Sequence, residues 1–230
     1  VVFNLLVGAE TWAYAGCALG TVLTDEGRVS EGIELLQKAL RIKPDYAEGQ
    51  EELGNALLLA GRAEDAIRPL REALRFNPGY AEAHCDLGVA LAHTGRFQEA
   101  IGHYEQAVRL NPDYVMAQYN LGNALERTGR LQEAIIHYEQ ALRLKPDYAE
   151  AHNNLGNALL QAGKVQEAIQ HYEQALRITP DFAEAQYSLG NALLLAGKVK
   201  EAIGHYEQAL RIKPDFVQAR NALARARAVQ

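Results

Sequence analysis

Four histidines, His103, His137, His171 and His205, stand in copies of one segment, HYEQAL or HYEQAV, and Glu99 precedes His103 by about one helical turn. A histidine beside a carboxylate is the arrangement of a general base and its orienting partner. The histidines recur every 34 residues. An active site needs groups converging on one point, whereas a repeated column spreads its members along a stack at about 10 Å per layer. The column is therefore expected on a solvated helix face, with no catalytic residue and no metal site. Cys17 and Cys85 share one position two units apart. Stacked helices would hold them roughly 20 Å from each other, too far for a disulfide or a shared zinc ion. Both are expected as free thiols, which points to a reducing compartment and to the cytoplasm. Asparagine is the third candidate. Asn55, Asn123, Asn157 and Asn191 share one position, and Asn120 and Asn154 share another three residues earlier. Asparagine is a poor helix former, so something must compensate for it. Either the amides hold the backbone of an extended peptide, as donor and acceptor, or they bond neighbouring helices and serve the fold alone.

The elements that position these residues follow from the period. Pro44, Pro78, Pro112, Pro146, Pro180 and Pro214 are spaced by 34 residues without a break. The pairs Leu19-Gly20, Leu53-Gly54, Leu87-Gly88, Leu121-Gly122, Leu155-Gly156 and Leu189-Gly190 keep the same interval, as do Gly27, Gly61, Gly95, Gly129, Gly163 and Gly197. The units are 13–46, 47–80, 81–114, 115–148, 149–182 and 183–216. Within a unit, AEAHNNLGNALLQAG (149–163) has helical apolar spacing, a glycine able to take the left-handed conformation ends it, and KVQEAIQHYEQALRI (164–178) reads as a second helix. Asp45, Asp147 and Asp181 stand at capping-box spacing before Glu48, Glu150 and Glu184. The Leu-Gly glycine and the alanine columns lie inside helices, where they imply close backbone approach. Tyr104, Tyr138, Tyr172 and Tyr206 are expected to fill gaps between hairpins, and Tyr46, Tyr80, Tyr114, Tyr148, Phe182 and Phe216 to pack at the turn between units. Pro69, inside a second helix, predicts a bend or a late helix start there. Residues 1–12 are out of register and are expected to cover the first unit as an N-terminal cap or the remnant of a preceding helix. Residues 217–230 are expected to form a C-terminal capping helix, because stacked hairpins need polar ends.

This pattern of Leu-Gly, Ala and Pro resembles the tetratricopeptide repeat over residues 13–216. The resemblance implies an all-α solenoid, a right-handed superhelix of antiparallel helix pairs, whose first helices line the concave side and meet a protein or peptide partner. On that reading the peptide-binding positions are Asn55, Tyr119, Asn120, Asn123, Arg127, Asn153, Asn154, Asn157, Tyr187 and Asn191. An acidic groove patch, Glu48, Glu51, Glu52, Glu82 and Asp86, suits a partner with basic residues. Family members that bind chaperone tails use a clamp of lysines, arginines and asparagines. Here Cys17, Glu51 and Cys85 hold the expected basic positions, which argues against that ligand. Two alternatives accompany the groove reading. The chain resembles the asparagine-lined repeats that precede the catalytic domain of O-linked N-acetylglucosamine transferases, as a substrate-selecting arm. It also suits an assembly scaffold that self-associates into a homo-oligomer.

Composition narrows the classes. The chain is 48% hydrophobic and 23% charged with a formal charge of −6, so it has the means to fold, and its acidic excess argues against nucleic acid as main partner. No run approaches the ~20 apolar residues of a membrane span, and Glu10 interrupts a signal-like stretch that has no basic leader. No nucleophile constellation or phosphate loop appears, so neither enzyme activity nor a cofactor is expected. The chain begins with valine and holds one methionine, Met116, and is expected to be part of something longer.

Overall fold

The computed structural model describes residues 2–228, with side chains from Gly8 onward. Those residues form thirteen α-helices and no strand. They are α1 (Val2–Asp25), α2 (Val29–Ile42), α3 (Ala47–Leu59), α4 (Ala63–Phe76), α5 (Ala81–His93), α6 (Phe97–Leu110), α7 (Val115–Arg127), α8 (Leu131–Leu144), α9 (Ala149–Gln161), α10 (Val165–Ile178), α11 (Ala183–Leu195), α12 (Val199–Ile212) and α13 (Val217–Ala228). The architecture is an all-α solenoid of helix pairs. It divides into two compact units, the first ending at Asn120 and the second beginning at Leu121. In the first unit α1 packs on α2, α3 on α4 and α5 on α6, and each second helix also packs on the first helix that follows, α2 on α3 and α4 on α5. The second unit repeats the scheme with α9 on α10, α11 on α12, and with α8, α10 and α12 on α9, α11 and α13. First helices touch along each unit, α1 with α3 and α3 with α5, then α9 with α11 and α11 with α13.

The turn inside each hairpin explains one glycine column. Gly61 has φ +71°, its N–H donates to the Leu58 carbonyl at 2.9 Å, and Arg62 N–H reaches back to Leu57 at 2.8 Å. Those two bonds satisfy carbonyls that a helix end would leave bare, and glycine takes the required conformation without strain. The same closure ends the other first helices at Gly27, Gly95, Gly129, Gly163 and Gly197. The residue after the glycine then opens the second helix, and its side chain pairs with an acid three positions on, as in Arg28 with Glu31 and Lys198 with Glu201.

The other glycine column makes room for a side chain. A Cβ at Gly88 would lie 2.5 Å from Tyr104 Cε1, and one at Gly54 would lie 2.4 Å from Leu70 Cγ. Tyr138, Tyr172 and Tyr206 sit in the same way on Gly122, Gly156 and Gly190. Each of these tyrosines therefore packs on the bare backbone of its own first helix, and Tyr172 also bonds Ser188 of the following hairpin.

Three local expectations are corrected. The N-caps of α3, α5, α9 and α11 are Tyr46, Tyr80, Tyr148 and Phe182, in extended backbone and without a side-chain cap bond. Asp45, Asp147 and Asp181 fall one residue too early to cap, inside the Pro-Asp or Lys-Pro-Asp turn, and Asp45 pairs instead with Lys43 at 3.3 Å. Of the bend or late start expected at Pro69, the late start is absent, since α4 spans the same 14 residues as the other second helices. The N–H that proline lacks would have reached the first turn, at exposed Asp65, where water can bond the free carbonyl. At the N-terminus α1 runs from Val2 through Asp25, so the boundary expected after residue 12 falls within a helix. At the other end α13 buries Ala219, Ala222, Leu223 and Ala226 and leaves Arg220, Arg225 and Arg227 exposed.

Candidate functional site

The asparagine column meets the tyrosine column. The hydroxyls of Tyr172 and Tyr206 donate to Oδ1 of Asn157 and Asn191 at 2.8 and 2.9 Å, and the Tyr138 hydroxyl lies 2.7 Å from Asn123 Oδ1 and 2.9 Å from Glu126 Oε2, which share its one proton. Burial raises the Tyr172 and Tyr206 phenols, so they remain protonated donors. Asn123 Oδ1 accepts a second bond from Asn154 Nδ2 at 3.0 Å, and Glu126 accepts from Gln161 at 2.8 Å, which ties α7 to α9. Half of each amide is thus consumed by the fold. No hydrogen bond from Nδ2 of Asn157 or Asn191 forms among the described residues, so each of these two half-buried amides keeps its donor end available while its acceptor end is engaged.

Earlier repeats lack this pairing. Leu70 stands where the phenol should meet Asn55, and Val89 stands where the amide should meet Tyr104. Asn120 Nδ2 lies 3.9 Å from Cys85 Sγ. Asn153 is buried, donates to Asn154 at 3.1 Å, and leaves its Oδ1 without a partner. Tyr187 packs on Phe216 with ring centroids 5.1 Å apart, Tyr119 is half-buried, and Arg127 is exposed. Both cysteines are buried free thiols, with desolvation raising Cys17 to about 11 and Cys85 to about 12, so neither is a nucleophile at neutral pH.

The acidic residues of the first unit differ in state. Glu48 and Glu82 are exposed. Glu51 is buried, accepts a bond from the Tyr80 hydroxyl at 3.2 Å, and is pushed up to about 9 by burial and then by Asp86. Burial and the neighbouring Asp86 favour its protonated form, which reduces the charge of the patch. Glu52 and Asp86 are likewise raised, first by desolvation.

His103, His171 and His205 are half-buried and turned to partners on the first helix of their own hairpin, where a fully solvated face was expected. His84 Nε2 lies 3.2 Å from the Pro78 carbonyl, and its Nδ1 lies 3.1 Å from Nδ1 of His103. A carbonyl only accepts, so His84 carries its proton on Nε2, and His103 must donate from Nδ1. His152 and His171 repeat the arrangement at 3.0 Å, with the Pro146 carbonyl at 3.1 Å. His205 donates instead to Gln186 Oε1 at 2.7 Å. Burial, then the neighbouring His84 and Arg71, lowers His103 to about 4. The sequence hid these partners because their position alternates, Gln50, His84, Gln118, His152, Gln186, and shows no uniform column.

Two cavities compete as binding sites. One of about 670 Å³ lies around Pro69, with Arg41, Arg62, Asp65, Arg68 and Glu72 in its wall. Its charges are in part satisfied by each other, as in Arg62 with Asp65 at 2.7 Å. The other, about 380 Å³, is lined by Asn191, Leu194, Leu195, Tyr206, Ala222 and Arg225. It is smaller but holds an unspent amide donor, a cation and apolar walls, the mixture that recognises a ligand. Arg225 was not among the residues singled out for binding, although it occupies the 34-residue column of Asn191.

A family model described as tetratricopeptide repeat matches residues 17–81, 52–108, 85–149, 137–181 and 153–216. No match was found among curated protein sequences. Solved structures share the fold. PilF of Pseudomonas aeruginosa is 20% identical, with a TM-score of 0.82 over 95% of this chain and 99% of its own. A chain of the APC/C hetero-tetramer Cut9-Hcn1 is 21% identical, TM-score 0.81, over 93% of this chain, which spans only 42% of that one. YrrB is 23% identical, TM-score 0.68, over 81% of this chain and 96% of its own. No helix among the described residues is long and apolar enough to cross a membrane.

Proposed function

Because the chain belongs to the tetratricopeptide repeat family, a family of protein–protein interaction modules, we propose that it holds an extended peptide segment of a partner along its first helices. The observation that carries this reading is the orientation of the amides. With each Oδ1 held by a phenol, Asn157 and Asn191 offer N–H donors in fixed positions, and a main-chain carbonyl of an extended segment is the acceptor that fits them whatever its side chains. The cavity beside Asn191 adds Leu194 and Leu195 for an apolar side chain and Arg225 for a carboxylate. In the first unit the exposed Glu48 and Glu82 favour a basic side chain of the partner. Asn55, Tyr119, Asn120, Asn123, Arg127, Asn153, Asn154 and Tyr187 belong to the proposal with unequal weight, since Asn153 is buried and Asn123 is already doubly engaged. YrrB is described as a TPR protein with an unusual peptide-binding site, which is a precedent for such a role on this fold.

The test is a peptide-array screen with the wild type and with the Asn157→Ala, Asn191→Ala double variant. Losing one net hydrogen bond of about 1 kcal/mol weakens binding roughly fivefold per site. Equal binding by both proteins, with circular dichroism showing both folded, refutes the amide reading. Tyr172→Phe and Tyr206→Phe separate the roles, because they free the amide to rotate while leaving its chemistry in place.

A further inference from the structure

His152 on α9 and His171 on α10 face each other within one hairpin. Their Nδ1 atoms are 3.0 Å apart and their ring centroids 5.3 Å apart. The second distance equals the first plus the radius of each five-membered ring, so the two nitrogens aim at each other along one line. His152 Nε2 donates to the Pro146 carbonyl at 3.1 Å, which leaves its Nδ1 lone pair directed at His171. A ring held from behind by a carbonyl, with its other nitrogen bare, is the form in which histidine ligates a metal. Burial lowers both histidines below their ordinary value, which favours the neutral, ligating state.

The surroundings suit a cation at this pair better than at His84 and His103. Arg71 lies close enough to His103 to oppose a positive ion there. Two repeats on, the place of Arg71 is held by Glu139, and Glu167 acts on His171. A cavity of about 360 Å³, lined by Pro146, His152, Gln170, His171 and Gln174, opens beside the pair.

We propose that His152 and His171 form a binding site for a divalent copper ion, seated between the two Nδ1 atoms in place of the proton they share. The His171 proton moves from Nδ1 to Nε2, so both rings stay neutral and two copper–nitrogen bonds replace one hydrogen bond. The pair opens from 3.0 Å to about 4 Å, twice a metal–imidazole bond of about 2.0 Å, and the cavity leaves His171 room for that turn. In-line nitrogens occupy opposite corners of a square plane, the geometry of copper(II), whereas tetrahedral zinc needs lone pairs that meet at an angle. Copper also binds nitrogen sites most tightly of the common divalent ions. No group of three or more metal-ligating side chains converges among the described residues, so solvent from the cavity fills the remaining corners. The histidine column by itself never converges on one point; the second ligand comes from the first helix, 19 residues upstream. The site is separate from the asparagine amides and stands or falls independently of them.

The probe is Cu²⁺ titrated into the whole chain at pH 7 against glycine as competitor, followed by calorimetry and electron paramagnetic resonance. One tight ion with two nitrogen ligands is expected. His152→Gln and His171→Gln should each weaken it at least tenfold, and the double variant should lose no more than either single one. The fold accepts glutamine here, since Gln186 meets His205 in the same register at 2.7 Å. By the same token Gln186→His should add a second tight ion, because Glu173 stands there where Glu139 stands at the first. Thermal melts confirm that each variant is folded, and His171→Gln carries the test if His152→Gln is not. Absence of a tight ion in the wild type overturns the proposal. So does a tight ion that survives the loss of either histidine, which is adventitious copper only, and so does a Gln186→His chain that gains none.

Discussion

Phe182→Tyr is expected to stabilise the protein. Tyr80 and Tyr114 reach back 29 residues to a polar group on the preceding first helix, Tyr80 to Glu51 at 3.2 Å and Tyr114 to the Cys85 thiol. The same register sets Phe182 against Asn153, whose Oδ1 is buried and unpaired. An orphaned buried acceptor costs about 1–3 kcal/mol, and supplying its donor recovers about 1 kcal/mol net of the hydroxyl's own desolvation. Urea unfolding followed by circular dichroism reads this as a raised midpoint at unchanged slope. A repeat array need not unfold in one step, so protection of α9 and α11 amides in native-state hydrogen exchange should rise with it. The control is Asn153→Ala, in which the tyrosine has nothing to satisfy. An unchanged or lowered midpoint refutes the reasoning, and so does an equal gain in the Asn153→Ala background.

Two predictions concern protons. Burial and the neighbouring Asp86 raise Glu51 above its unfolded value, so the folded state binds the extra proton and stability is lost as pH rises above the ordinary carboxylate range. Glu51→Gln should keep the Tyr80 bond, flatten that slope, and stabilise at pH 8 by about 1–3 kcal/mol; a variant with the wild-type pH profile contradicts a neutral Glu51. The histidine pairs act in the opposite sense. His84, His103, His152 and His171 are all lowered, chiefly by burial, so the unfolded state binds more protons and stability falls as pH drops below the ordinary histidine value, down to about 4 for His103. Denaturation midpoints measured from pH 7 to pH 5 should decline, and the double replacement His103→Gln, His171→Gln should make the decline shallower; an unaltered decline contradicts the buried, neutral state of these two histidines.

The hairpins were legible in the sequence because their determinants are local. A glycine that must adopt positive φ, a proline that cannot continue a helix, and apolar residues at helical spacing act over a few residues, and a 34-residue period displays each of them six times. The Leu-Gly column also announced close packing, although not that the intruding leucine or tyrosine comes from the same hairpin. Capping misled because the sequence shows the Asp-to-Glu spacing but not the one-residue offset of the helix start.

What the tertiary structure alone decided is the state of the polar groups. The phenols meet the amides across 15 residues, the histidines pair across 19, and Tyr80 meets Glu51 across 29. Each meeting depends on how helices lie against each other, and its outcome on water being excluded: which end of an asparagine stays available, which nitrogen of a histidine bears the proton, whether a glutamate is charged. Residue type and spacing by themselves carry no information about solvent exclusion, so the order of helices could be read from the chain while the chemistry offered to a partner could not.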